Sequence, residues 1–227
     1  MICILALALS SVVASDPPLT VAKVTVGPPS QVELRNTGTK PINAWAFAIS
    51  SRNADGGFHR VVHSADVYLS EVTGGLQGAA PHLQRLNAGE SRAMPVDPLP
   101  SDASVQVLAV VLDDNTAIGD EQTIASFFHQ REVQRDQLKS VVDTFNAVLQ
   151  QTHGAAALEE LHRRFASAGS EDQSVPHRSA RDAVEGWLQK AKNATADDQL
   201  DASVRSYVAF VTRQYEVAAK HAQRKSG

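Results

Sequence analysis

Apolar positions along this chain change period near residue 120. Before that point they fall at every second position, in short runs parted by Gly, Pro, Asn and Asp. After it they recur every three or four positions. Alternation marks strands that bury one face, and steps of three and four mark helices with one apolar stripe. The pattern predicts an α+β chain with a β-rich half over residues 16–119 and a helical half over residues 120–227.

In the first half, Val21, Val24 and Val26 alternate with polar neighbours until Pro28-Pro29. Val32 and Leu34 share a face of the next run, and Asn36-Thr37-Gly38-Thr39 is a turn signal. Residues 42–49 become apolar on both faces, which suits a central strand. Residues 105–112 alternate most strongly, with Val105, Val107, Ala109 and Val111 on one side. Residues 58–63, 67–71 and 90–95 are weaker strand candidates. Seven or so short strands at this spacing predict an immunoglobulin-like β-sandwich.

In the second half, Asp120 suits a helix N-cap ahead of Glu121. Ile124, Phe128, Leu138, Val142, Phe145 and Leu149 form a stripe, which Arg131 and Arg135 interrupt. Glu159, Glu160 and Asp201 are candidate partners for those arginines. Residues 155–168, 179–193 and 196–225 give three further helices, around Leu158, Trp187 and Val204. Residues 169–177 read as a loop. Together the helices predict a C-terminal antiparallel bundle.

Two runs carry a resemblance. Residues 32–44, VELRNTGTKPINA, are similar to a strand-turn-strand of extracellular immunoglobulin-like modules. Residues 107–120, VLAVVLDDNTAIGD, resemble a strand and turn of exported bacterial proteins without assigned activity, with Asn115 where that pattern prefers Gly. The resemblance covers about half the chain. It implies the fold of that half and export, and no chemistry.

The start of the chain agrees with export. Residues 2–13 are apolar and uncharged, too short for a stable membrane span and suited to a signal-peptide core over residues 1–15. Cleavage after Ala14 or Ser15 leaves a polar start, Asp16-Pro17-Pro18, and a periplasmic or extracellular protein. A first β-strand, or a start that omits a basic segment, are the other readings of this run. Cys3 is the single cysteine and falls inside the leader, so the processed chain has no disulfide and no thiol nucleophile. Asn193-Ala194-Thr195 matches a glycosylation sequon, a triplet that arises often by chance.

Charge narrows the partners. Residues 1–119 carry 7 Lys and Arg against 10 Asp and Glu, and residues 120–227 carry 14 against 15. Neither half has the basic excess that binds a phosphate backbone, so nucleic acid is not an expected partner.

No stretch carries a specific catalytic signature. His59 and His63 have a zinc-helix spacing, but in a strand they stand about 13 Å apart. Asp113, Asp114, Asn115 and Asp120 offer oxygen ligands, and turn and cap chemistry explains them equally. Gly74-Gly75-Leu76-Gln77-Gly78 lacks the Lys and helix of a phosphate cradle and reads as a flexible loop. No catalytic residue, metal site or cofactor is expected. The expected function is an exported, non-enzymatic, protein-binding or envelope-associated module. Its partner is another protein or a second copy. The partner surface is an apolar strip on the long helices carrying Val133, Leu138, Val142, Val211 and Tyr215. A carbohydrate-binding or adhesion module with Trp45, Phe58 or Tyr68 as sugar platform is the main rival. An enzyme with a site at the domain junction, drawing on His129, His153, His162 and His177, is the other.

Overall fold

A computed structural model describes residues 17–52, 55–77, 83–167, 174–193 and 195–225. The leader, Cys3, Gly78, the first part of the loop expected at 169–177, and Ala194 of the sequon lie outside the described residues. Among the described residues the fold is mixed α+β, with two antiparallel sheets of seven strands in all and five helices.

The first sheet has the order β1-β2-β5, from β1 (Leu19–Thr25), β2 (Ser30–Asn36) and β5 (Ser91–Val96). The second has the order β4-β3-β6-β7, from β3 (Ile42–Arg52), β4 (Phe58–Asp66), β6 (Ser104–Leu112) and β7 (Ala117–Gly119). One core cluster joins Leu19, Val32 and Leu34 of the first sheet to Trp45, Phe47, Ile49 and Val110 of the second. β3 is central and buried on both faces over residues 42–49. Its large residues enter that cluster. Its alternate residues Ala44 and Ala46, with Ala109 and Val111 of β6, form a small-residue face on the other side.

Small side chains there let a helix lie directly on the sheet. That helix is α2 (Glu121–Leu149), whose Ile124, Phe127 and Phe128 complete a cluster with the four sheet residues. Asp120 caps α2 by accepting from the Thr123 backbone N–H at 2.8 Å. α3 (Gly154–Ser167), α4 (Val175–Lys192) and α5 (Asp197–His221) share a further core with the C-terminal half of α2. No helix among the described residues is long and apolar enough to cross a membrane.

Residues 67–71 correct a strand expectation, and residues 74–77 a loop expectation. They belong to α1 (Val67–Leu76) and its C-terminal cap, Gln77. Val-Tyr-Leu suits a strand by propensity, but Asp66 caps a helix there, accepting from the backbone N–H groups of Tyr68 and Leu69. Val72 and Leu76 then join the helical core, in one cluster with Leu138 and Val211.

The helical strip is therefore corrected as well. Leu138 is 0% exposed and Val211 1%. Val142 and Tyr215 are half-buried and packed on the same core. Of the five expected surface residues only Val133 is open, at 41%. Leu138 and Val211 thus face the interior, while Val133 and, further along α5, Val217 at 42% stay open.

Candidate functional site

Two places gather chemistry between the sheet and the helices. The first is buried. Arg131, the interruption in the α2 stripe, lies where that stripe passes from the sheet to the helical core. Its Nε donates to Asp66 Oδ2 at 2.7 Å, and its Nη2 donates to Asn43 Oδ1 at 2.8 Å. Nη1 donates to the His221 carbonyl at 3.3 Å. The guanidinium also lies 5.1 Å from the Tyr68 ring centre and 5.4 Å from that of Phe128. A buried charge needs such full pairing, because an unpaired one in this setting is strongly destabilising. The partner of Arg131 is therefore Asp66, in place of the expected Glu159, Glu160 or Asp201. Arg135 pairs with its neighbour Asp136, Glu160 pairs with Arg163 and Arg164, and Asp201 accepts from the Gly154 backbone.

Tyr68 extends the cluster. Its ring stacks on His221 with centres 3.5 Å apart, and its hydroxyl donates to Asp113 Oδ1 at 3.1 Å. Arg85 donates to the same oxygen at 2.7 Å. Asn115 stands in the left-handed region, with φ 68°, at the turn after β6. Its Nδ2 donates to the Lys220 carbonyl, so its Oδ1 accepts from Nδ1–H of His221 at 3.1 Å. Burial, then the positive charge of Arg131, pushes the His221 pKa down to about 4. This imidazole is neutral near pH 7 and acts as a clasp for the end of α5. Lys225 continues the clasp by bridging to Thr116. The adjoining cavity is only about 10 Å³. That is room for one water at most, not a substrate. The cluster is a structural junction.

The second place is open. β4 lies at one end of its sheet, and no strand among the described residues pairs with its outer edge. Residues 58–62 are exposed on both faces of the strand, as is Ser64. Phe58 is 74% exposed, Val62 53% and Val61 38%, three of the six exposed large apolar residues described. His63 is half-buried and stacks on Phe47, with centres 5.1 Å apart. Between this strand, β6 and the start of α2 runs a groove of about 660 Å³. Its polar walls include Arg60, Ser64, Gln106, Gln122, Ser126 and Gln130. Asp120 borders it and is held below the usual carboxylate pKa. Its hydrogen bonds from Thr123 are the main cause, and the charge of Arg60 adds to them.

The other sequence candidates are dispersed. Trp45 and Tyr68 are buried, so of the proposed sugar platform only Phe58 faces outward. His129 is exposed on α2 and His153 is exposed before α3. His162 lies near Glu185, at 3.9 Å, and His177 contacts Ser174 and Ser140. These four do not converge. Among the described residues no group of three His, Cys, Asp or Glu is placed to hold a metal. The strand expected at residues 58–63 is present as part of β4, and what the weak alternation there did not show is that it lies open. The available signal was the lack of a buried face in Phe58-His59-Arg60-Val61-Val62. No family model matches the chain, no curated protein matches its sequence, and no solved structure matches its fold.

Proposed function

We propose that this chain is an exported protein-binding module that captures an extended segment by strand addition along β4. The observation that carries this reading is a β-strand exposed along one edge and, over residues 58–62, on both faces. Such an edge presents unpaired N–H and C=O groups in a row, and an added strand satisfies them. Phe58 and Val62 supply apolar contact on one face, and Val61 on the other. The polar groove beside them receives side chains of the added segment. The apolar leader supports export, and the two sheets with a shared core support an immunoglobulin-like sandwich as the scaffold. The role is non-enzymatic.

The test is selection of binding peptides from a displayed random library against the whole chain. Selected peptides are expected to lose at least about tenfold in affinity for Phe58→Asp/Val62→Asp, because an interface anchor is worth about 1–2 kcal/mol. Both positions are exposed, so the fold is retained. Peptides that bind the double variant unchanged overturn the reading.

A further inference from the structure

We propose that the segment added to β4 is β4 of a second copy, and that the paired strands hold divalent transition-metal ions between His59 of one copy and His63 of the other. This rests on strand addition at the same edge and names its occupant. The argument starts from the length of the open stretch. Exposure runs over residues 58–64, half-buried His63 included, and ends at Ala65 and Asp66, which the chain's own α1 junction buries. Two copies of one edge join into a continuous antiparallel sheet only about a two-fold axis normal to it. That axis preserves the faces, so it passes through a residue position. Full overlap of residues 58–64 places it at the midpoint, Val61.

The neighbouring registers are poorer. An axis at Arg60 sets two guanidinium groups directly opposite each other, and like charges opposed across a sheet destabilise it. An axis at Val62 sets Phe58 against the buried Asp66, which is occupied by Arg131. With the axis at Val61, Val61 meets itself, Arg60 meets Val62, and Phe58 meets Ser64. No like charges are opposed.

The same register brings His59 opposite His63 of the second copy, twice by symmetry. Both lie on the face of Val61, as their pairing with Ser51 and Phe47 of β3 shows. Directly opposed residues have Cβ atoms about 4.5–5.5 Å apart. Two imidazoles at that spacing reach one ion at the usual metal–nitrogen distance of about 2.0–2.1 Å, with water completing the shell. Within one chain the two histidines stand too far apart to share an ion. The pair of chains builds what the single chain lacks. Zinc, copper(II) and nickel(II) are the ions that favour such nitrogen ligands.

Sedimentation of the full chain with chelator and with zinc measures the association. Zinc is expected to tighten the dimer more than about tenfold by mass action, since only the dimer holds the ion. His59→Ala/His63→Ala removes the zinc effect and leaves the weaker metal-free dimer. Register is read independently in a Cys3→Ser background. Oxidised Val61→Cys forms a covalent dimer in high yield, because the axis opposes the residue to itself. Phe58→Cys does not, since it faces Ser64. A chain that stays monomeric with and without zinc overturns the proposal, as does equal cross-linking at positions 58 and 61. If peptides selected against the monomer still depend on Phe58 and Val62, strand addition stands while self-pairing is refuted.

Discussion

Arg131 is the residue that most departs from its local pattern. On an apolar stripe a guanidinium reads as a gap in the packing, and its partner, Asp66, lies between the strand candidates at 58–63 and 67–71. The pairing became visible only with the helix that Asp66 caps. Here one carboxylate serves two ends. Oδ1 accepts from the first turn of α1 and Oδ2 accepts from Arg131. Removing the guanidinium leaves Asp66 charged, buried and half-satisfied. Arg131→Ala is expected to lower unfolding stability by about 3–5 kcal/mol, measured by urea denaturation. A loss under about 1 kcal/mol would show that water reaches the site and that the junction is not a closed network. His59 and His63 were legible as a pair with metal-ligand chemistry, and so was their separation in a strand. What lies across the open edge from them could not be read from one chain's sequence.

At the scale of elements, period and turn chemistry carried most of the reading. β3 and β6 were legible from strong alternation, and the cap at Asp120 from its place before an acidic first turn. α1 was not legible, because Val67, Tyr68 and Leu69 favour strands locally and the helix is set by a cap and by tertiary burial of Val72 and Leu76. Leu138 and Val211 of the expected partner strip lie in the same core, which α2, α3, α4 and α5 build together with α1. The alternation of small and large residues in β3 held further information. Ala44 and Ala46 face a helix, and Trp45 and Phe47 face a sheet. Ala46→Leu inserts volume beneath Phe127 and is expected to cost about 1–3 kcal/mol through displacement of α2. Thermal melting followed by circular dichroism checks it, and an unchanged melting temperature would mean that α2 does not rest closely on the sheet.

Across the whole molecule, the boundary at Gly119 and Asp120 separates two kinds of element, and contacts cross it. Ile124, Phe127 and Phe128 bury the alanine face of the sheet, Arg131 reaches Asp66 and Asn43, and the end of α5 clasps the Asn115 turn. These contacts cover one end of the second sheet and leave the other end of β4 uncovered. The proposed strand addition rests on this uncovered end of β4, where residues 58–62 are exposed on both faces. Hydrogen exchange on the whole chain, diluted with chelator until it is monomeric, alone and saturated with a selected peptide, tests this most directly. Slowed exchange is predicted across residues 58–64, with little change along α2 near Val133 or α5 near Val217. Protection centred on those helices, with residues 58–64 exchanging as in the free chain, would contradict the account.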